Sequence, residues 1–208
     1  MANYCYVEMT ITGKVEALKE IAEAASKPKR SISAFGDKGW CEVLEDLGIE
    51  TEGLYMRGGI YQKTWKELMD EITYNEYNGY SGIKLDYESA WSKLEDVHDA
   101  LYGKYEDDIC ISYREIEEGC SIYRTNDPDI YPEKFYMNID GDCDVYEEIG
   151  DVIRALNAYE IPNVPQLDED KVEETDLLEM EEAVFACVSK YNETAPTIIV
   201  LHEIKFVA

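Results

Sequence analysis

A chain with 46 aspartates and glutamates against 19 lysines and arginines, a formal net charge of −27 over 208 residues, folds only if apolar burial outweighs carboxylate repulsion. Small domains usually stay within about 2–8 units of neutral. The excess must therefore be offset by a core or directed at a basic partner. Hydrophobic residues at 45% and aromatics at 12% supply a core, which argues against wholesale disorder. Tyrosine is abundant, 17 against 4 Phe, and suits half-buried sheets and contact surfaces. The same charge excludes function classes. Bare DNA or RNA and anionic lipid surfaces repel such a chain, because phosphate contacts need Lys and Arg. No run of 18 apolar residues occurs, and MANYCYVEMT lacks the basic-then-apolar signal pattern. A cytoplasmic protein is expected. Cys5, Cys41, Cys110, Cys120, Cys143 and Cys187 are scattered with no CxxC pair, so reduced, mostly buried thiols are expected.

Local patterns set the element order. Residues 4–12, YCYVEMTIT, alternate and read as a strand ended by Gly13. Val15, Leu18, Ile21, Ala22 and Ala25 recur at helical spacing, predicting a helix over 14–25. Lys27-Pro28-Lys29-Arg30 is the densest basic cluster. Trp40, Val43, Leu44 and Leu47 mark a short helix stopped by Gly48. Leu54–Tyr61 reads as a strand broken by Gly58-Gly59. Trp65, Leu68, Met69 and Ile72 form a helical face, followed by a Tyr/Asn/Gly loop over 74–80. Ile83–Tyr87 is expected as a strand, and Ala90–Tyr102 as a helix on Trp91, Leu94, Val97 and Leu101. Ile109–Ile116, the turn Glu117-Glu118-Gly119 and residues 120–124 give a hairpin signal. Asn126-Asp127-Pro128-Asp129 is a turn, and Lys134–Ile139 a third strand of that meander.

Composition shifts after Asp140. Val145, Ile149, Val152, Ile153 and Leu156 predict an amphipathic helix. Ile161–Gln166 is a Pro-punctuated linker, and Val172–Tyr191 a further helix. Residues 142–182 hold 15 acids against Arg154 and Lys171, so about half the net charge lies in about a fifth of the chain. Thr197–Val207 is too apolar to be left in water, at about 1.5–3 kcal/mol per large side chain, and is expected as a strand returning to the sheet. This order is compatible with an α+β protein, an antiparallel sheet covered by helices.

Three segments carry a resemblance. MANYCYVEMTITG, with Asn3, Tyr4, Cys5, Ile11 and Gly13, resembles the opening of the YubB-like family of plasmid- and phage-borne proteins. Glu88–Ser92, ESAWS, is similar to that family's small-Ala-Trp-Ser motif. Tyr113–Tyr123 is similar to its strand–Glu-x-Gly–strand hairpin, through Glu117 or Glu118 and Gly119. Lys93 and Leu94 stand where the family usually has prolines, a Trp-Gly motif has no counterpart, and residues beyond 140 match nothing of it. The resemblance implies a ferredoxin-like domain over residues 1–140 with helices on one face, and a mobile-element origin. It implies no activity. Residues 141–208 then form a helical acidic extension, 141–192, with the terminal strand.

Chemistry-bearing patterns are sparse. His98 and His202 are the two histidines, read as structural or surface groups. GxSxG, HExxH, Walker A and GxGxxG patterns are missing. Asp140-Gly141-Asp142-Cys143-Asp144 alternates as calcium loops do, but Val145 and Asp151 stand where such a loop needs Gly and Glu. It reads as a turn plus helix N-terminal charges. Asp107-Asp108 and Glu117-Glu118 read as solvated pairs, and Trp40, Trp65 and Trp91 as core. No catalytic residue, cofactor or metal is expected.

The expected function is a non-enzymatic interaction module with a protein partner, possibly basic. The competing reading is an acidic nucleic-acid mimic that inhibits a basic host nuclease or DNA-binding enzyme. Duplex DNA carries a charge every ~1.7 Å of axis, and a helix rises ~1.5 Å per residue. Asp168, Glu169, Asp170, Glu173, Glu174, Asp176, Glu181 and Glu182 thus approximate a phosphate track for a basic cleft. A solvated helical face is the plainer account of the same residues. A carboxylate-based enzyme is the third reading and needs acids converging in a pocket.

Overall fold

The structure, a computed structural model, describes residues 4–30, 38–77, 81–166, 174–195 and 197–207, with all their side chains but those of 77 and 174–176. The protein is α+β, and its chain forms two compact units, residues 1–131 with 207–208, and residues 132–206.

The first unit has strands β1 (Tyr4–Gly13), β2 (Lys38–Gly39), β3 (Gly58–Ile60), β4 (Gly82–Lys84), β5 (Tyr87–Ala90), β6 (Ile109–Glu117) and β7 (Ile122–Thr125). Its helices are α1 (Val15–Ser26), α2 (Trp40–Asp46), α3 (Trp65–Tyr77) and α4 (Glu95–Tyr105). The strand order is β7-β6-β1-β5-β3-β2, antiparallel throughout, with β4 also paired to β1. Alternation makes β1 two-faced. Cys5, Val7, Met9 and Ile11 are buried, whereas Tyr4 and Tyr6 are exposed. The buried set joins one core with Leu18 and Ile21 of α1, Trp40 and Leu44 of α2, Leu68 and Ile72 of α3, and Val97 and Leu101 of α4. Helix ends follow local chemistry. Lys27, before Pro28, is extended and closes α1, and Gly48 at φ +73° follows α2.

Five expectations for this unit change. Gly58-Gly59 does not break the 54–61 strand; the glycines are the strand. A Cβ on Gly58 would lie 2.7 Å from the Glu88 carbonyl oxygen and 2.8 Å from Leu94 Cδ1, so close approach demands glycine. The 83–87 strand forms as β4 and β5, in one continuous register against β1. Helix α3 continues to Tyr77, into the expected loop, whose residues 78–80 lie outside the described ones. Helix α4 starts at Glu95, not Ala90, because Ala90 completes β5 opposite Tyr4. Trp40 is core, but Trp65 and Trp91 are exposed.

The second unit holds β8 (Phe135–Ile139), β9 (Asp142–Tyr146), α5 (Ile149–Ala158), α6 (Glu174–Asn192) and β10 (Ile199–Glu203). Its sheet has the order β10-β8-β9. Phe135, Met137 and Ile139 pack with Val152 and Leu156 of α5, Val184 and Val188 of α6, and Ile199 and Leu201. The stretch after 140 is therefore not a helical extension. It has a sheet and core of its own, and the boundary lies at 131/132 because β8 pairs with β10 rather than continuing the meander. The terminal stretch divides: Ile199–Glu203 forms β10 in this sheet, whereas the end of the chain returns to the first unit as expected, Val207 donating its N–H to the Thr125 carbonyl at 2.9 Å. Asp140 (φ +55°) and Gly141 (φ +89°) make the tight β8–β9 turn favoured by an Asp-Gly pair. Asp142–Asp144 are thus strand, not helix N-terminus, and Val145 belongs to β9 rather than to the helix.

Candidate functional site

Of the eight carboxylates expected as a charged row, Asp168, Glu169, Asp170 and Glu173 lie outside the described residues. Glu174 and Asp176 belong to α6, with their side chains outside the described ones. Glu182 is exposed, but Glu181 is not on the same outward face. It is half-buried, and burial together with the nearby Glu203 carboxylate raises its pKa above the ordinary range. Helical geometry explains the split, since consecutive residues point about 100° apart, and Val184 and Val188 pull Glu181 toward the core side. Glu179, absent from that row, is exposed one turn from Glu182.

The second unit has an acidic concavity that local reasoning did not assemble. Glu133, Asp144, Val145, Tyr146, Glu147, Glu148 and Asp151 line a cleft of about 500 Å³. Strand β9 contributes Asp144, the turn into α5 contributes Glu147 and Glu148, and the first turn of α5 contributes Asp151. Acids there are favoured by the helix dipole. Among the described residues the lining carries five carboxylates and no cationic side chain. Asp151 pairs with Arg154 on the same helix. Tyr146 is pushed up to about 12 by burial and by the neighbouring Asp144, Tyr159, Asp142 and Asp151. Such a cleft attracts ammonium and guanidinium groups.

In the first unit the three motif segments meet. Cys5 lies opposite Ser89 in the β1–β5 ladder, and Val7 opposite Glu115 in the β1–β6 ladder. Glu115 is fully buried. Its carboxylate accepts the Lys93 N–H at 2.7 Å, the Cys5 thiol at 3.8 Å and the Arg124 guanidinium. Glu117, expected as solvated, is buried and caps the hairpin turn by accepting from the Gly119 and Cys120 N–H groups. A sequence signal existed for both acids, because Ile109, Ile111, Tyr113, Glu115 and Glu117 share one parity of β6.

Burial governs the titration of the thiol and imidazole here. Burial, reinforced by the Glu115 charge, pushes the Cys5 thiol far above its usual pKa, so it stays protonated. His98 is lowered to about 3 by burial and by the Lys93 charge, and shares a 3.2 Å hydrogen bond with the Tyr87 hydroxyl. It is a neutral core group, as expected. His202 lies in β10. All six cysteines are free, but Cys5 alone of them is buried; Cys110, Cys120 and Cys143 are exposed. Among the described residues no set of three or more His, Cys, Asp or Glu side chains is placed to hold a metal ion. No described helix is long and apolar enough to cross a membrane. No protein-family model, curated protein or solved structure matches the chain.

Proposed function

We propose that this protein is a non-enzymatic interaction module of mobile-element origin that engages a partner through the partner's lysines and arginines. The cleft of the second unit carries the reading, since five carboxylates line it, of which Asp151 also pairs with Arg154, and among the described residues the lining includes no cationic side chain. The three motifs shared with YubB-like proteins support the origin. The strand order β6-β1-β5-β3, with α1 and α4 in the connections, supports a ferredoxin-like first unit, in which α3 and β4 are an insertion between β3 and β5. Where the partner surface is the nucleic-acid cleft of a nuclease, the protein acts as a nucleic-acid mimic. Glu179 and Glu182, exposed on α6, support that narrower form.

The test is affinity capture from a bacterial lysate at low and high salt, comparing the wild type with Glu147→Lys/Glu148→Lys. Partners are expected to be held at low salt, released as salt rises, and lost from the double variant, about tenfold or more in affinity. Equal retention by both proteins overturns the reading. Displacement of the captured partner by duplex DNA selects the mimic form.

A further inference from the structure

We propose that Trp91 anchors a separate docking surface on the first unit for an arginine-bearing segment of a partner protein. This inference rests on the reading that the protein works by binding a basic partner, and it names the first-unit contact.

Trp91 sits at φ +78°, a left-handed backbone that a bulky aromatic residue rarely adopts, and its side chain is exposed. The turn is held there from inside. Ser89 is fully buried, and its hydroxyl donates to the Ser92 carbonyl at 2.5 Å. The Ser92 N–H donates to the Ala90 carbonyl at 3.1 Å, and the Lys93 N–H to buried Glu115 at 2.7 Å. Two ladders fix the strand that delivers it, since Ala90 is paired with Tyr4 and its N–H donates to the Arg57 carbonyl at 3.0 Å. The indole is therefore presented on a rigid support, which lowers the entropic cost of binding. Tyr4 and Tyr55 are exposed on the segments beside it, and the Tyr55 N–H donates to Asp96.

The occupant follows from charge and ring chemistry. Asp86, Glu88, Glu95, Asp96 and Asp99 surround this turn in sequence against Lys93. Lys93 is engaged, with Glu95 at 3.5 Å and its ammonium 4.7 Å from the Tyr113 ring centre. Trp is the best cation–π acceptor, and a guanidinium stacks on it while pairing with carboxylates. An exposed Trp in an acid-rich stretch thus favours arginine over lysine, a preference that long-range charge alone does not create.

The full chain is titrated with an oligo-arginine peptide and an oligo-lysine peptide of equal length. The wild type is expected to bind the arginine peptide more tightly. Trp91→Gly suits the backbone, so it should melt no lower than the wild type, lose about tenfold in arginine-peptide affinity and bind both peptides alike. Trp91→Tyr should restore part of the loss. Wild-type affinity in Trp91→Gly, with affinity lost in Glu147→Lys/Glu148→Lys, overturns the Trp91 assignment and leaves the acidic-cleft reading standing. Affinity unchanged in both variants overturns both. Self-association of the wild type that Trp91→Gly abolishes makes the occupant a second copy and overturns the arginine assignment.

Discussion

The two units handle the same charge problem in opposite ways. The first holds 14 of the 19 cations and turns several of them inward. Lys38 is fully buried, on Asp46 at 2.9 Å and the Ala24 carbonyl at 2.6 Å. Arg114 is buried against Glu8, and Arg124 pairs with buried Glu115. In the basic cluster near residue 30, exposed Arg30 pairs with Asp46 at 2.6 Å and Glu45 at 3.0 Å. The second unit sets Lys134, Arg154, Lys171, Lys190 and Lys205 against 19 acids. Its Arg154–Asp151 pair is largely exposed, a kind of contact that contributes little to stability. Among the described residues, several carboxylates of the first unit therefore hold buried cations, whereas most of those in the second are exposed.

Charge changes should expose this contrast. Arg124→Met strands a buried carboxylate and should destabilise the protein by about 3 kcal/mol in denaturant unfolding. Glu115→Leu/Arg124→Met should recover most of that loss. A single-variant cost near zero would show that the pair is not structural. Gly58→Ala should cost about 2–3 kcal/mol, because the added carbon meets backbone and Leu94. A normal melting temperature would mean that β3 and β5 are looser than described.

The His98 effect comes next. Its folded pKa is lowered to about 3, mainly by burial. Between that value and the ordinary one near 6.5, the unfolded chain binds more protons, so stability is full above about pH 6.5 and falls as pH drops. A loss of about 2 kcal/mol is expected by pH 5. Unfolding free energies at pH 7 and 5 for wild type and His98→Gln check it, and an unchanged pH slope in the variant would reject it. In the second unit, Glu147→Lys should change stability by less than about 0.5 kcal/mol. A large change there would erase the distinction between the units.

What the sequence reveals follows the range of the interactions. The alternation of β1 and the period of α1 are local and easily read. Helix α4 is displaced because β5 extends through Ala90 to meet Tyr4, a partner far along the chain. The 58–60 strand is hidden because glycine normally signals a break, whereas here its missing side chain admits Leu94. The second sheet is hidden because Phe135 finds its partner at Glu203. Of the cleft's acids, the sequence places only Asp144 among charges near the start of a helix, and Glu147, Glu148 and Asp151 carry no local mark. Their convergence with Glu133 depends on the β8–β9 hairpin, which an Asp-Gly pair signals and a calcium-loop reading obscures.

Strand β9 ends the order of its sheet, and Asp142 and Asp144 lie exposed along it. At neutral pH those carboxylates repel an identical edge on another molecule, which guards against strand-to-strand stacking. Exchanging both aspartates for uncharged residues therefore invites fibrous aggregates nucleated at this edge.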